Sequence, residues 1–417
     1  MSWSGLANNQ CVSGNNLNDA VSTGVFNAKT SIPYTNKELN AYEAFSYVNI
    51  YDTGKPVNQL VVKSNLTAQQ TNPSNPVYYF RMYGIALNGS GIYYPVVSVN
   101  GGVTFSQFAG SVPNYYYSSI AGSADGRIIA IGSLFGYPND YNIFYLSTNY
   151  GVTFNRIQLP NGGTAFFDNY QIQDIDMSSD GRVIAVLIAT DGSTAAYITA
   201  SVSTDYGASF TTYPTFKQSY AVGKIAVSGN GTYVQYVGAN FFGNFSWRVY
   251  SSNSGASFTI TSNSINQIFS DICMSETGQY QLVVNQGTAS TGNLFISSNY
   301  GSTFPSKSTY GGGRYCAMES SGASMTVMKS KNQIAFSQNY GNNWTAKTIG
   351  NDTAYGITSG DYPTPSYPYA YTAIAIDNGY NVGYINYSQT NSFLNTYTQQ
   401  VTYNVTIIRV FKKSFRI

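Results

Sequence analysis

Among the residue types of this chain, the carboxylates are the best candidates for catalysis. Hydrolysis of a glycosidic bond needs two carboxyl groups that face each other across that bond. Three aspartates lie in segments whose composition predicts loops: Asp140, Asp168 and Asp191. One hypothesis for this protein is therefore a glycosidase that acts on a surface polysaccharide.

Composition excludes most other catalytic chemistries. The chain contains no histidine, which removes a Ser–His triad, an imidazole base and histidine ligation of a metal. Its three cysteines are too few and too widely spaced for a disulfide framework or a metal knuckle. We interpret Cys273 and Cys316 as small buried hydrophobic residues. We therefore predict a protein without catalytic residues, metal or cofactor.

The segments that hold these aspartates are also rich in aromatic residues. Aromatic rings can stack on the C–H groups of a sugar while planar polar side chains bond its hydroxyl groups. Tyrosine also supplies rigid contact area at a low cost in entropy, which suits protein recognition. We predict a ligand-binding face that contains Tyr137, Asp140, Tyr141, Phe167, Asp168, Asn244 and Arg314.

A repeated sequence motif, called the repeated phrase here, predicts the elements that position this face. A Ser is followed by Asn or Asp two residues later, by Gly two residues after that, and then by an aromatic residue. The phrase recurs six times at a mean spacing of about 48 residues, within the range of about 40–50 typical of propeller blades. Its Asn or Asp and its Gly are Asn100 and Gly102, Asn149 and Gly151, Asp205 and Gly207, Asn253 and Gly255, Asn299 and Gly301, and Asn339 and Gly341.

Each repeat divides into four short strands, so the sequence predicts an all-β fold of four-stranded blades. The phrase lies at the hairpin between the third and fourth strands, where Gly supplies the left-handed conformation. Tight turns such as Asp125-Gly126 join the first and second strands. We predict seven blades over residues 68–417, with six or eight as alternatives. Either 59–66 or the C-terminal strand 402–411 could complete the irregular first blade and close the ring.

This parse separates two faces of the propeller. The short repeated turns share one face, and the connections that differ between repeats share the other. Variable loops on a rigid scaffold are where binding usually occurs. We predict that the second face carries the function, through segments 135–142, 160–171, 189–197, 238–247, 285–293 and 310–315.

The repeated phrase resembles the Asp-box (BNR) repeat of sialidase-like and sortilin-like propellers, although Asn replaces Asp at five of the six sites. The resemblance implies a structural hairpin remote from the active face. Sialidases of that family need three arginines, a Tyr–Glu pair and an aspartic acid. The few glutamates of this chain lie outside the repeats or at turns: Glu38, Glu43, Glu276 and Glu319. The resemblance therefore supports a propeller fold more strongly than it supports sialidase activity.

Residues 1–67 do not share the repeat. Phrases such as Asn36-Lys37-Glu38 and Tyr47-Val48-Asn49-Ile50 resemble a module at the head of virion and surface proteins of phages that infect Bacteroidota. We predict a small α/β attachment module here, with a plain cap on the propeller as the alternative. The resemblance implies docking to other virion proteins and a protein present in many copies or as a homo-oligomer.

Charge and hydropathy limit the remaining partners. Charged residues make up 9% of the chain, aromatic residues 16%, and the net charge is +2. Without a basic stripe, nucleic-acid binding has little electrostatic support. Neither a secretory signal nor an apolar run long enough for a membrane span is visible in the sequence. We expect a virion protein, assembled in the host cytoplasm and extracellular after lysis, with no membrane insertion.

These observations favour a non-enzymatic virion appendage protein, resembling a phage fibre, whose propeller loops bind a host-surface glycan or another virion protein. The glycosidase is the first alternative. A bacterial surface adhesin is the second.

Overall fold

The structure of this chain is a computed structural model. It describes residues 46–49, 57–63, 81–87, 93–98, 106–108, 110, 112, 116–135, 143–160, 170–190, 196–213, 216–218, 221–240, 246–263, 269–285, 293–307, 312–330, 333–348, 356–361, 370–376 and 381–386.

The described residues form seven antiparallel sheets, numbered here along the ring. The first four contain β2–β5 (Val57–Lys63, Arg81–Leu87, Tyr93–Ser98, Ser106–Gln107), β6–β9 (Tyr116–Gly122, Ile129–Phe135, Ile143–Ser147, Asn155–Gln158), β10–β14 (Tyr170–Met177, Ile184–Thr190, Ala196–Ser203, Thr211–Thr212, Phe216–Gln218) and β15–β18 (Ala221–Val227, Val234–Asn240, Ser246–Ser251, Thr259–Asn263). The last three contain β19–β22 (Phe269–Met274, Gln281–Asn285, Leu294–Ser297, Ser306–Lys307), β23–β26 (Tyr315–Met318, Met325–Ser330, Gln333–Ser337, Thr345–Thr348), and β27–β29 with β1 (Gly356–Asp361, Ala370–Ile376, Asn381–Asn386, Ser46–Asn49).

The all-β propeller predicted from the sequence is confirmed. Within each sheet the strands follow one another in chain order, apart from β1 in the last sheet and β14 in the third, which pairs with β12. The first strand of each sheet, called its inner strand here, contacts the inner strand of the next, and β2 contacts β27 so that the ring closes. The blade number of the whole chain stays a prediction.

The hydrophobic core lies between the sheets. One buried cluster joins the second sheet to the third through residues such as Phe144 and Ile172, and another joins the third to the fourth through Leu187 and Trp247. Because both faces of a central strand are covered, β11 reads as an uninterrupted apolar run rather than an alternating one.

The repeated phrase folds as a hairpin turn, called the repeat hairpin here. Ser147 Oγ accepts a hydrogen bond from Gly151 N–H at 2.9 Å and donates one to Asn149 Oδ1 at 2.9 Å. Tyr150 and Gly151 have φ of 63° and 79°, and Val152 N–H bonds back to Asn149 C=O, as in a two-residue hairpin turn. The next four repeats share this geometry, centred on Asp205, Asn253, Asn299 and Asn339. Asn100 and Gly102 of the first repeat lie outside the described residues.

The two sets of short turns occupy the same end of the sheets, as the sequence parse predicts. The turn between the first two strands of a sheet is called the inner turn here. In the second sheet, Tyr150 N–H of the repeat hairpin donates to Arg127 C=O of the inner turn at 3.0 Å. Equivalent bonds run from Tyr206, Ser254, Tyr300 and Tyr340 in the four sheets that follow.

The ends of the chain differ from the parse in one respect. The fourth strand of the last sheet is β1, which precedes the predicted propeller segment in the sequence and pairs antiparallel with β29. The alternative of 59–66 for the first sheet is confirmed over residues 59–63, because β2 pairs with β3 there. The C-terminal closing strand, 402–411, lies outside the described residues.

Both β1 and β2 come from the segment predicted as an attachment module, 1–67, yet each pairs with a strand from the propeller segment, 68–417. The division at residue 67 stays a prediction, and residues 46–49 and 57–63 belong to propeller sheets by their pairing. No helix in the described part of the chain is long and apolar enough to cross a membrane.

The glycine of the repeat hairpin gives a stability prediction. Gly255 has φ of +80°, and an added Cβ would lie 2.8 Å from Cγ1 of Val202, a stiff buried side chain of the preceding sheet. We expect Gly255→Ala to lower the free energy of unfolding by about 2–4 kcal/mol, from the left-handed backbone and the overpacking together. Thermal or denaturant unfolding measures the effect.

Ala256→Ser is the matched control for this prediction. Ala256 is exposed in the same turn, and another repeat already has Ser302 at its position, so we expect stability close to wild type. Equal stability of Gly255→Ala and Ala256→Ser would contradict the geometry described for the repeat hairpin.

Candidate functional site

Most of the predicted ligand-binding residues lie outside the described part of the chain. These are Tyr137, Asp140, Tyr141, Phe167, Asp168 and Asn244. Arg314 is described, and its side chain is exposed. It precedes β23, so it lies at the opposite end of the sixth sheet from the inner turn, on the predicted loop face. The assignment of these residues to a ligand stays a prediction.

The described structure adds a polar cluster that the sequence analysis missed. Its members lie on successive inner strands. Each member is four residues before the first residue of the inner turn that follows its strand. We call the set Ser119, Asp174, Lys224, Asp271 and Tyr315 the inner-strand cluster. Aligning the inner turns at Ser123, Ser178, Ser228, Ser275 and Glu319 would have found it.

Asp174 is the most extensively bonded member of the cluster. Its Oδ1 accepts from Ser119 Oγ at 2.9 Å and lies 3.3 Å from Lys224 Nζ. Its Oδ2 accepts from the backbone N–H of Ile225 on the next inner strand at 3.1 Å. The carboxylate therefore links the second, third and fourth sheets.

The same arrangement recurs at two other junctions between described inner strands. Ser119 Oγ accepts from Ile175 N–H at 3.0 Å, and Asp271 Oδ2 accepts from Cys316 N–H at 2.8 Å. Lys224 has no acceptor, and Asp271 Oδ1 bonds the N–H of its own neighbour, Ile272, at 2.9 Å instead. A side-chain acceptor thus joins one inner strand to the next at three junctions.

The charges of the cluster influence one another. Burial raises the pKa of the Asp271 carboxyl from 3.8 to about 7, although Lys224 and the N–H of Cys316 both act to lower it. Burial on its own would lower the pKa of the Lys224 ammonium. The nearby Asp174 and Asp271 carboxylates outweigh burial, so that the pKa of Lys224 is raised.

This arrangement is suited to joining strands. Both oxygens of Asp174 and both oxygens of Asp271 accept hydrogen bonds within the scaffold. Among the described residues no group of three or more Cys, Asp or Glu side chains is placed to hold a metal ion. The carboxylates of the cluster therefore act as structural acceptors between sheets.

The end of the propeller that carries the turns presents a row of tyrosines. Tyr150, Tyr206, Tyr300 and Tyr340 are exposed, and each occupies a left-handed conformation that costs a bulky residue about 1–2 kcal/mol. Three of them pack against the preceding sheet: Tyr206 on Arg127, Tyr300 on Tyr233 and Tyr340 on Tyr280. These contacts add links between sheets at that end.

Comparison with known proteins supports the fold. No protein-family model and no curated protein matches the chain. Among solved structures, it is similar to YCF48 from Cyanidioschyzon merolae, with a TM-score of 0.51 and 13% sequence identity, over 82% of this chain and 98% of that chain. It is also similar to a hydrazine synthase structure from Kuenenia stuttgartiensis, with a TM-score of 0.52, 12% identity, and coverage of 82% and 98%.

A third similar structure is that of a xyloglucanase. The GH74 xyloglucanase from Xanthomonas campestris has a TM-score of 0.50 and 12% identity over 79% of this chain, which spans about half of the xyloglucanase (52%). At such low identity these likenesses establish the β-propeller fold alone. The similar proteins have different activities, so the fold leaves the choice between enzyme and binding protein open.

The Asp271 carboxyl gives a pH prediction. The folded protein keeps Asp271 protonated up to about pH 7, whereas the unfolded chain loses that proton near its ordinary pKa of 3.8. The folded state therefore binds more protons between these values, and the contribution of Asp271 to stability decreases as pH rises through this window. Relative to Asp271→Asn, which cannot ionise, we expect wild type to lose about 3 kcal/mol between about pH 4 and pH 7.

Unfolding curves of both proteins across this pH range measure the difference. Lys224→Gln serves as the companion variant: because Lys224 opposes the rise in the pKa of Asp271, its removal should extend the window above pH 7. A stability difference between wild type and Asp271→Asn that does not change with pH would contradict the burial assigned to Asp271.

Proposed function

We propose that this chain is a non-enzymatic structural protein of a phage virion, part of a fibre or another appendage. In this proposal the loop face of the propeller binds a host-surface glycan or another virion protein. The N-terminal module attaches the chain to other virion proteins, in many copies or as a homo-oligomer. The protein is assembled in the host cytoplasm and is extracellular after lysis.

One observation supports the proposal above all. The end of the propeller that holds the inner turns and repeat hairpins, called the turn end here, and the inner strands use their polar groups to hold the scaffold together. The Asn or Asp of each described repeat hairpin is bonded within its own turn, and the carboxylates of Asp174 and Asp271 bond the next inner strand. Polar groups that are fully used in this way are poor candidates for catalysis. The proposal therefore puts binding on the variable loops at the other end, where Arg314 is exposed.

Two sequence features support the proposal. The repeat resembles the Asp-box of sialidase-like and sortilin-like propellers, where the motif is a structural hairpin. Residues 1–67 include phrases that resemble the head module of virion proteins of Bacteroidota phages. A chain with 9% charged and 16% aromatic residues also suits a rigid recognition surface more than a cytosolic enzyme.

A binding experiment tests the proposed loop face. The full chain is incubated with cultured Bacteroidota cells, and bound protein and released reducing sugar are measured in the same sample. We expect saturable binding without sugar release. Changing Tyr137, Asp140, Phe167, Asp168 and Arg314 together to Ala should weaken binding at least about 100-fold, because several contacts at the centre of an interface are removed.

The matched control changes Thr204, Ser252 and Ser298, three exposed residues of the repeat hairpins, to Ala. This variant should bind as wild type does, and both variants should unfold near the wild-type temperature. Unaltered binding by the loop variant would contradict the placement of the site. Sugar release that is lost in Asp140→Asn or Asp168→Asn would contradict the non-enzymatic assignment and support the glycosidase.

A further inference from the structure

Two of the three cysteines in the chain meet at one junction of the ring. Cys273 lies on β19 of the fifth sheet and Cys316 on β23 of the sixth, and these two inner strands are in contact. Cys273 packs against the buried cluster that contains Cys316. Residues far apart in sequence thus form a thiol pair between sheets.

This thiol pair is particular to one junction. Counted back from the inner turn, Cys273 occupies the second position and Cys316 the third. At the other described junctions the same two positions hold Ala121 with Ile175, Asp176 with Ile225, and Ala226 with Ile272. Apolar residues fill this space at two of these junctions and Asp176 with Ile225 fills it at the third, so packing alone does not require two thiols here.

The structure also holds Cys316 in place. Its backbone N–H donates to Asp271 Oδ2 at 2.8 Å, and its Sγ lies 3.6 Å from the carbonyl oxygen of Leu282. Asp271 is on the same strand as Cys273, so this bond fixes the register of the two strands. The Cys316 sulfur therefore faces the fifth sheet, whose inner strand carries Cys273.

We propose that Cys273 and Cys316 are a modification site, at which a low-molecular-weight disulfide oxidises the two thiols to a disulfide bond between the fifth and sixth sheets. Both cysteines are free in this structure.

The reaction balances as two thiol–disulfide exchanges. Cys273 is partly exposed whereas Cys316 is buried, so the Cys273 thiolate attacks the small disulfide first and releases one small thiol. The Cys316 thiolate then attacks the mixed disulfide at the Cys273 sulfur and releases the second small thiol. The protein loses two protons and two electrons, which the small disulfide accepts. Burial raises the pKa of both thiols, so the reaction should be slow.

The bond has a structural consequence. It closes a loop that contains β20, β21 and β22, and it joins two sheets that share no hydrogen-bonded ladder. A cross-link of this kind restricts the unfolded chain more than the folded one. We expect the oxidised protein to unfold at a temperature higher by about 5 °C.

The test uses the full chain with Cys11→Ser, so that only the thiol pair remains. The protein is incubated with oxidised glutathione, and its intact mass, its peptide map and its unfolding temperature are measured. We expect a protein lighter by two hydrogen atoms, a cross-linked peptide that joins 273 to 316, and a higher unfolding temperature that a reductant reverses. Cys316→Ala should instead retain one glutathione at Cys273.

Two results would overturn the proposal. One is a stable mixed disulfide at Cys273 in the Cys11→Ser protein, with Cys316 still reduced. The other is a pair of thiols that stay reduced through prolonged incubation and react only after denaturation. Because the peptide map is made on the chain that keeps both cysteines, the test does not depend on the folding of Cys316→Ala.

Discussion

The seven sheets of the described structure share no strand ladder, so every junction between them must be held by side chains and turns. Buried apolar clusters supply most of the contact area at these junctions. Directional bonds set the register: Ser179 N–H of one inner turn donates to Gly229 C=O of the next at 2.7 Å, and Glu276 N–H donates to Ser320 C=O at 2.8 Å. On the inner strands, the side chains of Asp174 and Asp271 also fix the register, because each accepts a hydrogen bond from the backbone of the next inner strand.

This constraint explains why the sequence repeats where it does. The repeat hairpin must present its backbone to the inner turn of its own sheet and its aromatic residue to the core, which few sequences allow. Phe210, for example, packs edge-on against Phe144 of the preceding sheet at 5.3 Å between ring centroids. Connections at the other end are released from these demands, so their sequences can differ between repeats and can be used for recognition.

The sequence predicted the hairpins because they depend on local chemistry. An Asn or Asp followed by a Gly with positive φ is recognisable without knowing any neighbour, and the strand order then follows from short connections. The inner-strand cluster could not be predicted in the same way, because the partner of Asp174 is the backbone of Ile225 in another sheet. Arg248 is similar: its buried guanidinium lies over the ring of Phe304 at 4.6 Å and donates to Gly301 C=O, contacts that only the order of the sheets reveals. The pairing of β1 with β29 joins residues far apart in the sequence and leaves no local signal.

The claim that the turn end is scaffold and the loop end is the binding face can be tested without any substitution. Hydrogen–deuterium exchange of the full chain would be followed with and without surface polysaccharide extracted from Bacteroidota cells. The account predicts slower exchange in peptides that cover 136–142, 161–169, 241–245 and Arg314, with no change in the repeat hairpins at 147–154, 203–210 and 297–304. Protection confined to the repeat hairpins would contradict it.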